Sequence, residues 1–271
     1  MESVLAFLDH ATPDFGREFR KQYSDVIPIF RSDKYVKLTK AEKDAVTGKI
    51  ADMVALMRRE RIPLTAATSR DEYEWALRQA VNAAQDDAFL RAVPSEFDFA
   101  KGPAQISGEE RWSHTEELRE LAMADNLLWA QQRESSRGKV LFFAHDAHVQ
   151  TGVAMSSTLR SRAAGEYLRS ALDQDLVVIG TYFGHGLGFP AKDMPLPPDA
   201  VGVDGLLSSL SIPVFIMDLR ELPSSGILRQ WFEAAHGTRI LTGVNMVSPL
   251  EAYDAILFIE TITPTPAVPE P

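Results

Sequence analysis

Two histidines flank an aspartate in Ala144-His145-Asp146-Ala147-His148, which follows the apolar run Val140-Leu141-Phe142-Phe143 directly. An imidazole titrates near neutrality, so either ring can take a proton from water or return one to a leaving alkoxide, with Asp146 orienting a ring. In open α/β sheets reactive groups gather beyond the carboxyl ends of strands, where this pattern puts His145 and His148. The plainer reading has one histidine capping a strand end and the other facing solvent. A His-x-x-His pair can also hold a metal ion, but a catalytic zinc takes three protein ligands and no second ligand cluster is apparent, so no metal is assigned.

Three further groups carry possible chemistry. Gly184-His185-Gly186-Leu187-Gly188 reads as a loop after a second strand, with His185 either a substrate contact or an exposed turn residue. The following FPAKDMPLPP cannot open a helix, so the glycines do not form a dinucleotide fingerprint. Arg119, beside Asn126 on a helical face, could bind a carboxylate or an oxyanion, or simply pair with Glu116 or Asp125. Asp125 falls in the apolar stripe of Leu118, Leu121, Ala122, Leu128 and Trp129 and is expected to point inward. The sequence has no Gly-x-Ser-x-Gly elbow and no cysteine, so hydrolysis here would use activated water.

The elements that must position these groups change character along the chain. Residues 1–138 read as mainly helical, with capping-box pairs at Thr39/Glu42, Ser69/Glu72 and Ser113/Glu116. Val46, Ile50, Met53, Val54 and Met57 recur at helical spacing after the first box, and Trp75, Ala76, Ala80, Ala83 and Ala84 form a small-residue face after the second. Residues 139–262 carry unbroken apolar runs at 140–143, 176–179, 213–217 and 255–259, expected to be strands of a mainly parallel sheet with helices on both faces. Residues 155–172, with Leu159, Ala163, Tyr167 and Leu168 on one side, read as the crossover helix between the first two runs. Residues 263–271 are a Pro-rich tail, and the whole reads as one structural unit. Four strands are few for this length, so an open sheet edge is expected to be covered, for example by an oligomeric partner.

A formal net charge of −10 disfavours nucleic acid as a partner. The absence of cysteine gives no sign of secretion, and neither a signal peptide nor an apolar span is visible; a cytoplasmic protein without a membrane partner is the expectation.

Several linked segments resemble the erythromycin esterase-like family in order and spacing. These are Arg119-Glu120-Leu121-Ala122-Met123-Ala124-Asp125-Asn126, then FFAHDAHVQTG, the Leu159-Arg160 segment, VVIGTYFGHG and the closing YDAILFIETITP, with Asp71-Glu72-Tyr73-Glu74-Trp75-Ala76 similar to the family's central helices. The resemblance implies an α/β hydrolase that opens a macrolide lactone or cleaves another carboxylic ester with histidine and acidic residues, without a cofactor. By motif match His145 and His148 would be its His-x-x-His histidines and Arg119 the arginine preceding its Met-Ala-Glu/Asp-Asn segment, all three catalytic candidates. Asp146, Asn126 and His185 are read beside them as substrate contacts. Members of the family begin with a strand ending in a Gly-Glu-x-x-His-Gly type motif. His10, in LAFLDHATPDF, does not supply it. The sequence therefore reads as the last two thirds of a typical member, either a shortened hydrolase or a non-catalytic protein of the same fold that binds a small molecule or haem. A purely helical scaffold role for the first half is the third alternative.

Overall fold

A computed structural model describes residues 1–24, 26, 32–98, 109–152, 154–155, 160–186, 202–240 and 243–263. The chain divides into two compact units, Met1–Ala122 and Met123–Pro271, with the division inside one helix.

The first unit is helical: α1 (Glu2–Ala11), α2 (Pro13–Tyr23), α3 (Ser32–Tyr35), α4 (Lys40–Arg59), α5 (Arg61–Ala67), α6 (Arg70–Ala92) and the start of α7 (Glu109–Glu134). Thr39 caps α4 reciprocally, its Oγ1 accepting from the Glu42 amide while the Thr39 amide donates to Glu42 Oε2 at 2.8 Å. Ser69 accepts from the Glu72 amide at 3.1 Å and starts α6. The third expected cap differs: α7 begins at Glu109, which makes Ser113 an interior residue. Val46, Ile50, Met53 and Met57 are buried on α4, and Ala76, Ala80 and Ala83 on α6, where small side chains let the two helices approach closely. Trp75, expected on that face, is exposed.

A polar hub lies within this core. Asp87 on α6 is buried and accepts hydrogen bonds from the Tyr35 hydroxyl and, at 2.6 Å, from Thr47. Burial and this carboxylate push the Tyr35 phenol above its ordinary pKa. Arg91 donates to Thr47 at 2.9 Å and to Asp44 at 2.6 Å, so α3, α4 and α6 are joined by one satisfied network.

The second unit contains the rest of α7, α8 (Asp146–Val149), α9 (Ala164–Leu172), α10 (Val203–Ser208), α11 (Ile227–Glu233) and α12 (Pro249–Ala252). Its strands are β1 (Ala154–Met155), β2 (Arg160–Ser161), β3 (Ile179–Gly186), β4 (Val214–Asp218), β5 (His236–Ile240), β6 (Gly243–Val247) and β7 (Ala255–Ile262). One sheet has the order β2-β1-β6-β5, with antiparallel pairs. The other has the order β3-β7-β4, with β3 parallel and β4 antiparallel to β7.

This is a mixed α/β architecture with small sheets, and the mainly parallel sheet with helices on both faces is not what the described residues form. The runs at 213–217 and 255–259 become β4 and β7. The run at 176–179 enters its ladder only at Ile179 but continues to Gly186, because β7 extends far enough to pair with it. Residues 140–143 join no ladder: Phe142 packs against Ala124, Ala164 and Leu168, while Leu141 is 89% and Phe143 93% exposed. The expected crossover helix is confined to Ala164–Leu172, since Met155 and Arg160 lie in β1 and β2; Leu159 lies outside the described residues. On α7, Asp125 and Leu121 face outward, and it is Glu120 and Ala124 that are buried. In the expected tail, residues 264–271 are likewise outside the described residues.

The start of the β3/β7 pair is fixed by Asp254. Its Oδ2 accepts from the Val178 amide at 2.7 Å and from Arg169 of α9 at 2.5 Å, while the Asp254 amide donates to the Val178 carbonyl at 2.8 Å. Arg169 also donates to the carbonyls of Asp173 and Leu176, both at 2.8 Å. Asp254→Ala, which orphans the Val178 amide and removes the carboxylate partner of Arg169, is expected to cost about 2–3 kcal/mol. Arg169→Ala, which leaves the Val178 bond in place, should cost about 1 kcal/mol, and the double variant less than the sum. Urea denaturation of the three variants checks the ranking.

Candidate active site

The His-x-x-His segment folds as a single helical turn. His145 is the N-cap of α8 and its Nδ1 accepts from the Ala147 amide at 3.1 Å. The His148 amide donates to the His145 carbonyl at 2.8 Å. With Nδ1 occupied as an acceptor, neutral His145 carries its proton on Nε2. Burial, and secondarily the nearby His148, hold His145 below the usual histidine pKa, so this neutral form predominates at neutral pH. The two rings lie edge to face, 6.4 Å between centroids.

Asp146 does not orient either ring. Its Oδ2 accepts from the backbone amide of Thr181 at 2.9 Å, anchoring the turn to the outer edge of β3. Burial pushes the Asp146 carboxyl up to about 6, and the Thr181 bond only partly offsets this. The edge amide that would otherwise seek another strand is thus used to dock the histidine turn.

His185 is part of β3 rather than of a loop, paired in register with Thr261. It is four residues beyond Thr181, about 13 Å of strand rise. Its Nε2 lies 3.2 Å from Glu260 Oε1, which also accepts from Ser208 at 2.9 Å. Gly184 makes room for this carboxylate, since a Cβ there would stand 2.6 Å from Glu260 Oε1. Leu187 and Gly188 of the expected loop lie outside the described residues. Asn126 is half-buried on the second unit's part of α7. Arg119, on the first unit's part, pairs with Glu116 at 3.0 Å. The second unit therefore brings His145, Asp146 and His148 together and sets His185 further along the same strand.

Two groups supporting β3 escape sequence reading. Arg239 and Asp204 form an ion pair at 3.4 Å with side chains only 4% and 2% exposed. Arg239 also donates to the carbonyls of Phe183 and, at 3.0 Å, Gly184, and its guanidinium lies 4.0 Å over the Phe183 ring. Burial raises the Asp204 carboxyl, and Arg239 opposes the rise. Tyr182 is buried beside Tyr253, the two rings edge to face. An arginine inside a strand was the available signal for the first pair; nothing in the local sequence marks Asp204 as its partner.

The described residues contain no group of three or more His, Asp or Glu arranged to hold a metal ion, and no helix long and apolar enough to cross a membrane. What the site offers is an N–H donor on one imidazole and a second imidazole within reach of the same small group.

Three solved structures share the fold over nearly the whole chain. A Bacillus cereus protein matches with a TM-score of 0.75 at 18% identity, covering 97% of this chain and 63% of its own. A succinoglycan biosynthesis protein matches at 0.73 and 22%, covering 96% and 61%. A mutant of the erythromycin esterase EreC in its open conformation matches at 0.67 and 12%, covering 96% and 64%. The chain thus spans less than two thirds of the length of these solved relatives. No curated protein matches it. The erythromycin esterase family model matches residues 1–262, and the chain belongs to that family.

Proposed function

We propose that the protein is a carboxylic-ester hydrolase, acting on an ester or macrolide lactone through attack by water. The observation that supports this reading is the docked turn in which His145 and His148 stand edge to face, with Nδ1 of His145 fixed as an acceptor. In this reading, neutral His145 donates from Nε2 to the carbonyl oxygen as it gains charge in the tetrahedral intermediate. His148 takes the proton from the attacking water and returns it to the leaving alkoxide. Asp146 serves by holding the turn against β3, and Asn126 and His185 are assigned to substrate binding or positioning.

The test is hydrolysis of an activated aryl ester and of a macrolactone by the chain and by its variants. His145→Ala and His148→Ala are each expected to lower kcat/KM by about 10²–10³-fold, with unchanged circular dichroism. Activity that survives both substitutions overturns the assignment. Absence of hydrolysis on both substrates favours a binding protein of the same fold, and a haem titration followed at the Soret band then tests that reading.

The Asp146 anchor predicts a pH signature of its own. Its carboxyl is raised from about 4 in the unfolded chain to about 6 in the folded one, so its contribution is full below pH 4 and is lost as pH rises through 6. Relative to an Asp146→Asn variant, which keeps an acceptor for Thr181 without the charge, the wild type should lose on the order of 2 kcal/mol of stability between about pH 4 and pH 6. Denaturation of both proteins across that window measures the difference.

A further inference from the structure

Among the described residues of the second unit, the three-stranded sheet is covered on one face only. Residues opposite one another in its ladders point to the same side, so the β3-β7-β4 register separates two sets. Tyr182, Ile256, Phe258, Phe215 and Met217 point into a core closed by Val203 and Leu207 of α10, Phe232 of α11 and Ala252 of α12. The opposite side carries Ile179, Leu257, Ile259, Val214 and Ile216, and on it Val214 is 60% and Ile216 66% exposed.

Residues 140–143 extend this open side. Phe142 packs into the cluster of Ala124, Ala164 and Leu168, and Leu176 touches both that cluster and the sheet core, so the cluster lies on the covered side. In an extended segment neighbouring side chains alternate, which turns Leu141 and Phe143 the other way. The Asp146 bond to Thr181 holds the following residues at the β3 edge, keeping these two side chains next to the open face.

Leu141, Phe143, Val177, Ile179, Val214 and Ile216 are all exposed. Together they present on the order of 700 Å² of surface, more than the ~300–600 Å² of the largest patch on an ordinary monomer and near the ~800 Å² each partner gives to a standard interface. The one acidic side chain of β4 at its margin, Asp218, is paired with Arg220 at 2.6 Å.

We propose that this face is a homodimer interface, on which a second copy of the chain packs sheet against sheet about a two-fold axis. A two-fold brings the same patch from each copy together, so one apolar face is enough for a closed assembly. Twisted sheets stack in this way about 10 Å apart with their side chains interdigitated. The register places Asp218 on this side too, at its margin beside Ile179 and Ala255, and its pairing with Arg220 offsets its charge where two copies meet despite the net charge of −10 that each carries. The occupied amide of Thr181 favours face packing over addition of a strand at the β3 edge.

Sedimentation of the full chain at about 20 µM is expected to give twice the 30.1 kDa chain mass. The double substitution Val214→Lys and Ile216→Lys should sediment as a monomer with unchanged circular dichroism. Should that variant fail to fold, Ile216→Thr, which retains strand propensity, is expected to weaken the dimer about tenfold or more. A wild-type monomer overturns the proposal and leaves the face to the additional chain length that the solved relatives carry. A dimer unaffected by these substitutions, or a polydisperse aggregate in place of a dimer, overturns it equally.

Discussion

The second unit depends on a single carboxylate at the start of a parallel strand pair. Parallel strands have no hairpin to set their register, so the alignment of β3 with β7 must be imposed where the strands begin. Asp254 imposes it by binding the backbone of Val178 on both sides, through its own amide and through Oδ2. The same oxygen holds Arg169, and Arg169 in turn binds the carbonyls at the end of α9. Helix, turn and both strands therefore share one charged node. A slip of one residue in β3 would turn Tyr182 from the core to the open face, which the loss of that burial opposes.

From this register the candidate site follows. Thr181 has its amide directed to the outer edge of β3, where Asp146 can bind it. The histidine turn is thus located by a strand to which it does not belong. Further along the strand, Arg239 binds the carbonyls of Phe183 and Gly184 from a buried position balanced by Asp204. Removing either partner would leave an uncompensated buried charge, a costlier defect than the net worth of the pair. The two carboxylates near β3, Asp146 and Asp204, are both raised by burial; Asp204 adds to the rise at Asp146, whereas Arg239 opposes the rise at Asp204.

Local chemistry was legible in the sequence where it acts over a few residues. The Thr39 and Ser69 caps depend on groups three positions apart, and both start helices as read. The His145–His148 spacing was visible too, but it read as a loop at a strand end, whereas the segment folds as a helical turn after residues that join no ladder. The strands at 214–218 and 255–262 were visible as continuous apolar runs, but their relative direction was not, because an apolar run records burial and carries no information about pairing. The β5–β6 hairpin was missed because its strands, from His236 and from Gly243, carry no comparable run. Asp125 illustrates the opposite error. A stripe of Leu118, Leu121 and Asp125 looked inward by spacing, but α7 turns Ala124 and Glu120 to the interior instead, and periodicity alone does not fix which of two adjacent faces is buried.

The segment at 140–143 connects these two kinds of reading. Its composition is that of a strand buried on both sides, yet only Phe142 has found packing partners. Four consecutive apolar residues in water are unfavourable, and the unfavourable part is borne by Leu141 and Phe143, the two that face the same way as Ile216. The apparent failure of the strand reading is therefore informative: the sequence encodes burial on a second side, and the described residues satisfy only the first. The same holds for Val214 and Ile216 on β4, whose alternate neighbours Phe215 and Met217 pack in the core. Independent stretches of sequence thus record the same missing contact surface, on the same side of one sheet, adjacent to the turn that carries His145 and His148. A cover on that surface would also remove water from one side of the histidine turn's anchor strand and so strengthen the electrostatics of the candidate site.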